Sequence, residues 1–357
     1  MASIRKKSGK LRAGKFLTLL AFFAAFFGIA NAQTSVRIQP PVAPKPAATP
    51  VPQSRPIRVA VGRVINNSGI PAEKAIAVDS KANVQLCVAN GNVRVNGWDR
   101  DEVRALIEEG SYVGFRVLNK TGQSTPAVVK IVGYDTQKTS VGGVNECLRG
   151  GRIEIDVPRG ASVRLEGPQG QVRAEIASIY KADIKNNSGD IIFNEIAQGI
   201  TAQTYQGDIS VENSGGAMTL TTTNGNIFAY NVKPIEFSNV FSAKTNSGSI
   251  SLQAIEYPQI GVKSVSGAVN FSGKILSGGQ YSFDSQNGSI QLNLPRKSSF
   301  AVTATYGSGE FKSELPLMNV VKAPGPPEKL SGQTGTGDAA LTLFTFVGSI
   351  NIKANEP

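Results

Sequence analysis

Two aspartates are the side chains whose spacing comes nearest to chemistry. Asp190 and Asp208 each follow a glycine, at SGD and QGD, and Asn226 follows the next glycine at NGN. The spacing is 18 residues at both steps, so a regular repeat would stack the three in one column. Two stacked carboxylates could hold calcium weakly or act as an acid pair on a polysaccharide. Calcium takes about six to eight oxygens, and this set falls short. The column then turns to Ser249, Ala268 and Ser289, so polar turn residues facing water are expected there, with no metal. The chain has no His, which removes Ser-His-Asp and Cys-His catalysis and histidine metal ligation. Its two cysteines, Cys87 and Cys147, cannot build a four-cysteine zinc site and form no CxxC pair. A polysaccharide lyase or hydrolase needs clustered acids on one face, whereas the outward charges here, such as Lys185, Glu212 and Lys244, are isolated. No catalytic or cofactor-binding residue is therefore assigned. Tyr205 and Tyr306 lie beside turns and could stack on sugars, although a turn tyrosine more often covers the end of the core, and Trp98, in a charged turn, is expected to pack.

The elements that carry these residues form an internal repeat. Gly170, Gly189, Gly207, Gly225, Gly248, Gly267, Gly288 and Gly309 recur in tetrads such as SGDI, NGNI and SGSI, at steps of 18 to 23 residues. Apolar residues keep the same frame. Two and four positions after the glycines stand pairs such as Ile191/Phe193, Ile209/Val211 and Ile250/Leu252. Seven and five positions before them stand Ala182/Ile184, Met218/Leu220, Phe241/Ala243 and Tyr281/Phe283. The unit at Gly309 is weaker, with Ser313 in its last inward place, and Gly348 repeats the frame with Leu341/Leu343 and Ile350/Ile352. Each unit thus reads as two short strands of period-2 alternation around a turn, where the glycine is expected to supply a positive φ. An up-and-down sheet with NG and SG hairpins is the alternative. Four apolar columns in register favour a parallel β-solenoid of about 18–23 residues per coil, because no single coil buries its own face. Nine coils stacked at about 4.8 Å would make a rod of roughly 45 Å.

The rest of the chain reads differently. Residues 1–32 carry six basic residues and no acid, an apolar run from Phe16 to Ala30, and the small-residue pattern Ala30-Asn31-Ala32, which predicts a signal peptide. An uncleaved anchor is the alternative; no other stretch could span a membrane. Residues 33–56 form a Pro-rich linker, with QPPVAPKPAATPVPQSRP from Gln39 to Pro56. Without the six leader charges, the net charge falls from +11 to +5, so nucleic acid is not an expected partner. Residues 57–150 fit the repeat once, around Gly91, and read as a β-rich N-terminal cap before the repeat domain at 151–357. Residues 104–109 could be helix or strand. In an exported chain, Cys87 and Cys147 are expected to form a disulfide, with two buried thiols as the alternative.

Residues 91–103 (GNVRVNGWDRDEV), 157–163 (VPRGASV) and the run of SGDI and NGSI turns resemble the bacterial putative-adhesin family over about 84–313. The resemblance implies an extracytoplasmic β-solenoid head, with adhesion as its proposed role and no catalytic residues to transfer. The expectation is thus an exported, non-enzymatic all-β protein, periplasmic, cell-surface or secreted. It would be a surface-binding or structural rod with an extracytoplasmic ligand such as a glycan, a matrix component or a cell-envelope component. A polysaccharide-active β-helix enzyme is the alternative.

Overall fold

The computed structural model describes residues 72–118, 127–134 and 146–355; the leader and the Pro-rich linker lie outside them. Every described element is a strand, and the chain is an all-β parallel solenoid. Along one sheet, Lys181–Ser188, Gly199–Gln206, Ala217–Asn224, Val240–Ser247, Gln259–Ser266 and Gln280–Asn287 pair in parallel, each with the next. Along the other, Ile191–Asn194, Ile209–Glu212, Ile227–Val232, Ile250–Ile255, Val269–Gly273 and Ile290–Pro295 do the same. The registers keep the sequence frame: Ala182 pairs with Ile200, then Met218, Phe241, Ile260 and Tyr281.

That register sends one apolar set inward at every step. From Gly170 to Gly288, and again at Gly348, the residues seven and five before and two and four after each corner glycine are at most 3% exposed. They form one continuous cluster with Val84, Leu86, Ile153 and Ile155 from the N-terminal region. Phe271 and Phe283 meet with ring centroids 5.1 Å apart, so aromatic contact bridges the two sheets inside neighbouring coils.

The corner glycines have a stronger reason than the turn alone. Most have positive φ, for example Gly207 at 139° and Gly248 at 147°, but Gly288 is not among them. What they share is a close approach. A Cβ on Gly207, Gly225, Gly248, Gly267 or Gly288 would lie 2.0–2.3 Å from the carbonyl oxygen of the preceding corner glycine. The glycines therefore stack on one another, and Gly288 is required by contact where its φ does not require it.

A second inward column was not read from the sequence. Three positions before the glycines stand Thr204, Thr222, Thr245, Ser264, Ser285 and Thr345, all buried. Thr222, Thr245, Ser264 and Ser285 each donate through the hydroxyl to the carbonyl of the preceding corner glycine, and Thr345 to that of Gly288, its neighbour in the stack, at 2.8–2.9 Å. The hydroxyls satisfy carbonyls that the tight corner turns into the core.

Coil order departs from chain order at both ends. Phe300–Ser308 does not stack on Gln280–Asn287. The later strand Ala339–Val347 lies between them, parallel to both, and Ile350–Asn355 likewise separates Ile290–Pro295 from Phe311–Ser313. At the other end, the 16-residue strand Asn83–Trp98 lies between Leu148–Pro158 and Ser162–Ala177. The stretch between Gly309 and Gly348 supplies two antiparallel strands: Glu328–Thr334 lines Phe300–Ser308, and Met318–Ala323 lies outermost. Antiparallel strands also close the N-terminal end. Glu102–Gly110 pairs with Leu148–Pro158, Ala72–Ala77 pairs with Glu102–Gly110, and Tyr112–Val117 pairs with Val128–Tyr134. Residues 104–109 are thus strand. Switching to antiparallel pairing at the ends protects the edges of a parallel stack.

Cys87, in Asn83–Trp98, is disulfide-bonded to Cys147, just before Leu148–Pro158, with Cα atoms 4.4 Å apart. The bond ties two neighbouring strands across 60 residues of chain. Replacing both cysteines by Ser is expected to cost about 4 kcal/mol on the chain-entropy view. Urea melts with and without reductant check it, and unchanged stability would contradict it.

Candidate functional site

The aspartate column is a structural ladder. The Asp208 backbone N–H donates to Asp190 Oδ1 at 3.0 Å, Asn226 N–H to Asp208 Oδ1 at 2.7 Å, and Ser249 N–H to Asn226 Oδ1 at 2.9 Å. Each side chain thereby satisfies a donor on the next coil's corner, a demand that any polar acceptor meets. No group of three or more metal-ligating side chains is found among the described residues.

A cluster of charged residues lies on the N-terminal strands. Asn83–Trp98 sets Arg94 between Glu154 and Glu175, and Asn92 between Arg152 and Arg173, because outward residues of parallel neighbours share rows. Arg94 bonds Glu175 at 2.9 Å, Arg173 reaches the same carboxylate at 3.4 Å, and Arg152 pairs with Glu154. These residues line two shallow grooves. The Arg94 hydrogen bond holds the Glu175 carboxyl below its ordinary range, against the opposing effect of burial. Glu146 is held low in the same way, first by Lys130. A general acid in glycoside cleavage needs the opposite shift, a carboxyl that keeps its proton near neutral pH. Arg94 pairs with Glu175 across strands, whereas Arg173 and Arg152 pair with Glu175 and Glu154 along their own strands; with partly exposed partners each contributes modestly.

The two turn tyrosines divide between the alternatives the sequence offered. Tyr205 is 54% exposed, as a sugar-facing residue would be, but Tyr306 is buried at 6%. Tyr306 stands three positions before Gly309, in the inward column that carries hydroxyls elsewhere, so it faces the core. Trp98 packs: its indole N–H donates to the Glu102 carbonyl at 2.8 Å, and Arg100 lies over its ring at 4.8 Å.

The sequence reading missed an aromatic strip on the coil of Gly225. Phe228 and Tyr230 stand two apart on Ile227–Val232, point outward, and are 44% and 52% exposed. Ser210 and Ser251 flank Phe228 on the adjacent strands, and Glu212 and Gln253 flank Tyr230. Two rings are thus bordered on both sides by hydroxyl, carboxylate and amide groups. This coil is also the one with the 23-residue step. The added length forms a tight loop in which Asn239 Oδ1 accepts from the N–H of Ile235 and of Glu236, both at 2.9 Å, and Phe237 stands 74% exposed. The signal was available: both rings stand at outward positions of the frame, three and five after Gly225, where no other coil of the repeat carries an aromatic residue.

No curated protein matches the chain. Two solved structures do: a putative cell adhesion protein from Clostridium sporogenes, at 12% identity over 80% of this chain and 100% of that one with a TM-score of 0.22; and a putative adhesin from Bacteroides fragilis, at 14% identity over 80% and 98% with a TM-score of 0.36. The Toastrack DUF4097 family model matches residues 70–253 and 153–353, two overlapping stretches that run through the described solenoid from its N-terminal strands to its last coil. The chain belongs to the Toastrack DUF4097 family.

Proposed function

We propose that this is an exported, non-enzymatic binding protein, adhesin-like in role, whose solenoid presents a ligand face centred on Phe228 and Tyr230. The observation that carries the reading is that strip. Exposed rings on a rigid sheet, bordered by Ser210, Glu212, Ser251 and Gln253, suit a ligand with apolar faces and hydroxylated edges, which is the chemistry of a glycan. The leader-like residues 1–32 and the Cys87–Cys147 bond support export to an oxidising compartment. The ion-paired state of Glu175 and Glu146 favours binding over polysaccharide cleavage. In a glycan-array screen of the folded chain, Phe228→Ala with Tyr230→Ala is expected to lower binding to the best glycan at least tenfold, with the urea midpoint nearly unchanged. Binding that survives the double substitution would place the ligand elsewhere.

A further inference from the structure

The last coil of the chain is an insert. Ala339–Val347 is hydrogen-bonded on both edges, to Gln280–Asn287 on one side and to Phe300–Ser308 on the other. Ile350–Asn355 is placed the same way between Ile290–Pro295 and Phe311–Ser313. Without this coil the stack would hold a slot one strand wide, bordered by two rows of unpaired backbone groups and open onto the apolar core.

The route into that slot is short. Thr334 registers with Phe300 on one side, and Ala339 registers with Phe300 on the other. The chain therefore passes around the start of Phe300–Ser308 within residues 335–338, spanning two strand spacings, about 9.6 Å. Gly335 and Gly337 have φ of 61° and 75° in this crossing. Ser299 Oγ holds it by accepting from the N–H of Thr336 at 3.0 Å and of Gly337 at 3.1 Å. Short, tightly turned connections of this kind favour exchange, because the same segment can extend and deliver its element to another molecule with every native contact kept.

We propose that the coil Ala339–Asn355 is exchangeable between two copies of this chain, each copy's last coil filling the other's slot. A second copy is the occupant that fits, because its insert has the same sequence and so the same register, with Leu341, Leu343, Ile350 and Ile352 entering the core columns. The surface near the crossing agrees with a partner there. The outermost strand Met318–Ala323 is exposed along its whole length, with Met318, Val320 and Val321 at 51%, 45% and 64%. Two copies joined through extended four-residue crossings are held within about 14 Å of each other at this end, where that apolar strand lies.

Ser282 and Thr342 are exposed partners on adjacent strands, and a cysteine at each reports the exchange. Full-length chains carrying Ser282→Cys and Thr342→Cys separately are mixed, unfolded in urea with Cys87–Cys147 intact, refolded, and then mildly oxidised. Exchange produces a dimer whose linked peptides join residue 282 of one chain to residue 342 of the other. By mass action, its ratio to monomer should rise about tenfold for a tenfold rise in protein concentration while monomer predominates. A single chain with both substitutions should link internally. If that chain links internally and the mixture gives no 282–342 dimer at any concentration, exchange is refuted. If it fails to link internally, the insert is misplaced and the proposal falls with it.

Discussion

Gly248→Val is expected to destabilise the chain by on the order of 3–5 kcal/mol, while Gly261→Ala leaves stability within about 0.5 kcal/mol. A Cβ at Gly248 would lie 2.0 Å from the Gly225 carbonyl oxygen, in a backbone with φ of 147°. That oxygen is also the acceptor for the Thr245 hydroxyl, so pushing it aside breaks a buried hydrogen bond as well. Gly261 lies in Gln259–Ser266, and a Cβ there meets no atom within 4 Å. The two glycines separate stacking from mere strand occupancy. Equal losses in urea melts would show that glycine content, and not the corner contact, is what the fold requires.

Leu220→Ala and Ile250→Ala should each cost about 2–5 kcal/mol, as transfer and cavity terms add in a close-packed interior. Both side chains are fully buried, on different coils and different sheets. Lys244→Ala, on an outward position of Val240–Ser247, should change stability by less than about 0.5 kcal/mol. Urea denaturation of the three variants checks the assignment of faces. A Lys244 effect as large as that of Leu220 would mean the strands present the other face to the core.

The parts of the fold that the sequence made legible are those fixed by register. Ile209, Leu220 and Ile250 fall inward because period 2 and a constant frame leave their side chains one common direction. The hydroxyl column was equally periodic, but Thr222 and Ser264 went unassigned, because polar side chains are mostly exposed and their partner, a glycine carbonyl, is a backbone group. Tyr306 occupies that column, so of its two readings the core-covering one holds. Coil order was not legible at all. A repeat frame states which residues align, and Ala339–Val347 aligns with its neighbours equally well in either order. The N-terminal strands escaped the frame because Glu102–Gly110 and Tyr112–Val117 pair antiparallel, where register follows turns that differ from unit to unit. Of the exposed aromatic residues, the sequence singled out Tyr205, while Phe228 and Tyr230, on the other sheet, went unread beside the more regular polar columns.

The central claim is a parallel stack whose last coil lies between the two coils that precede it in the chain. Paired cysteines at outward positions test it directly. Ser282 stands beside Thr342 in the stack, and Thr342 stands beside Thr303, so Ser282 and Thr303 are two strand spacings apart. Directly opposed residues on adjacent strands fall within disulfide reach, whereas positions about 9.6 Å apart do not. The measurement is disulfide formation in the folded chain under mild oxidation, read by mass spectrometry. The account predicts that Ser282→Cys with Thr342→Cys links and that Ser282→Cys with Thr303→Cys does not; the reverse pattern would show coils stacked in chain order and would contradict it.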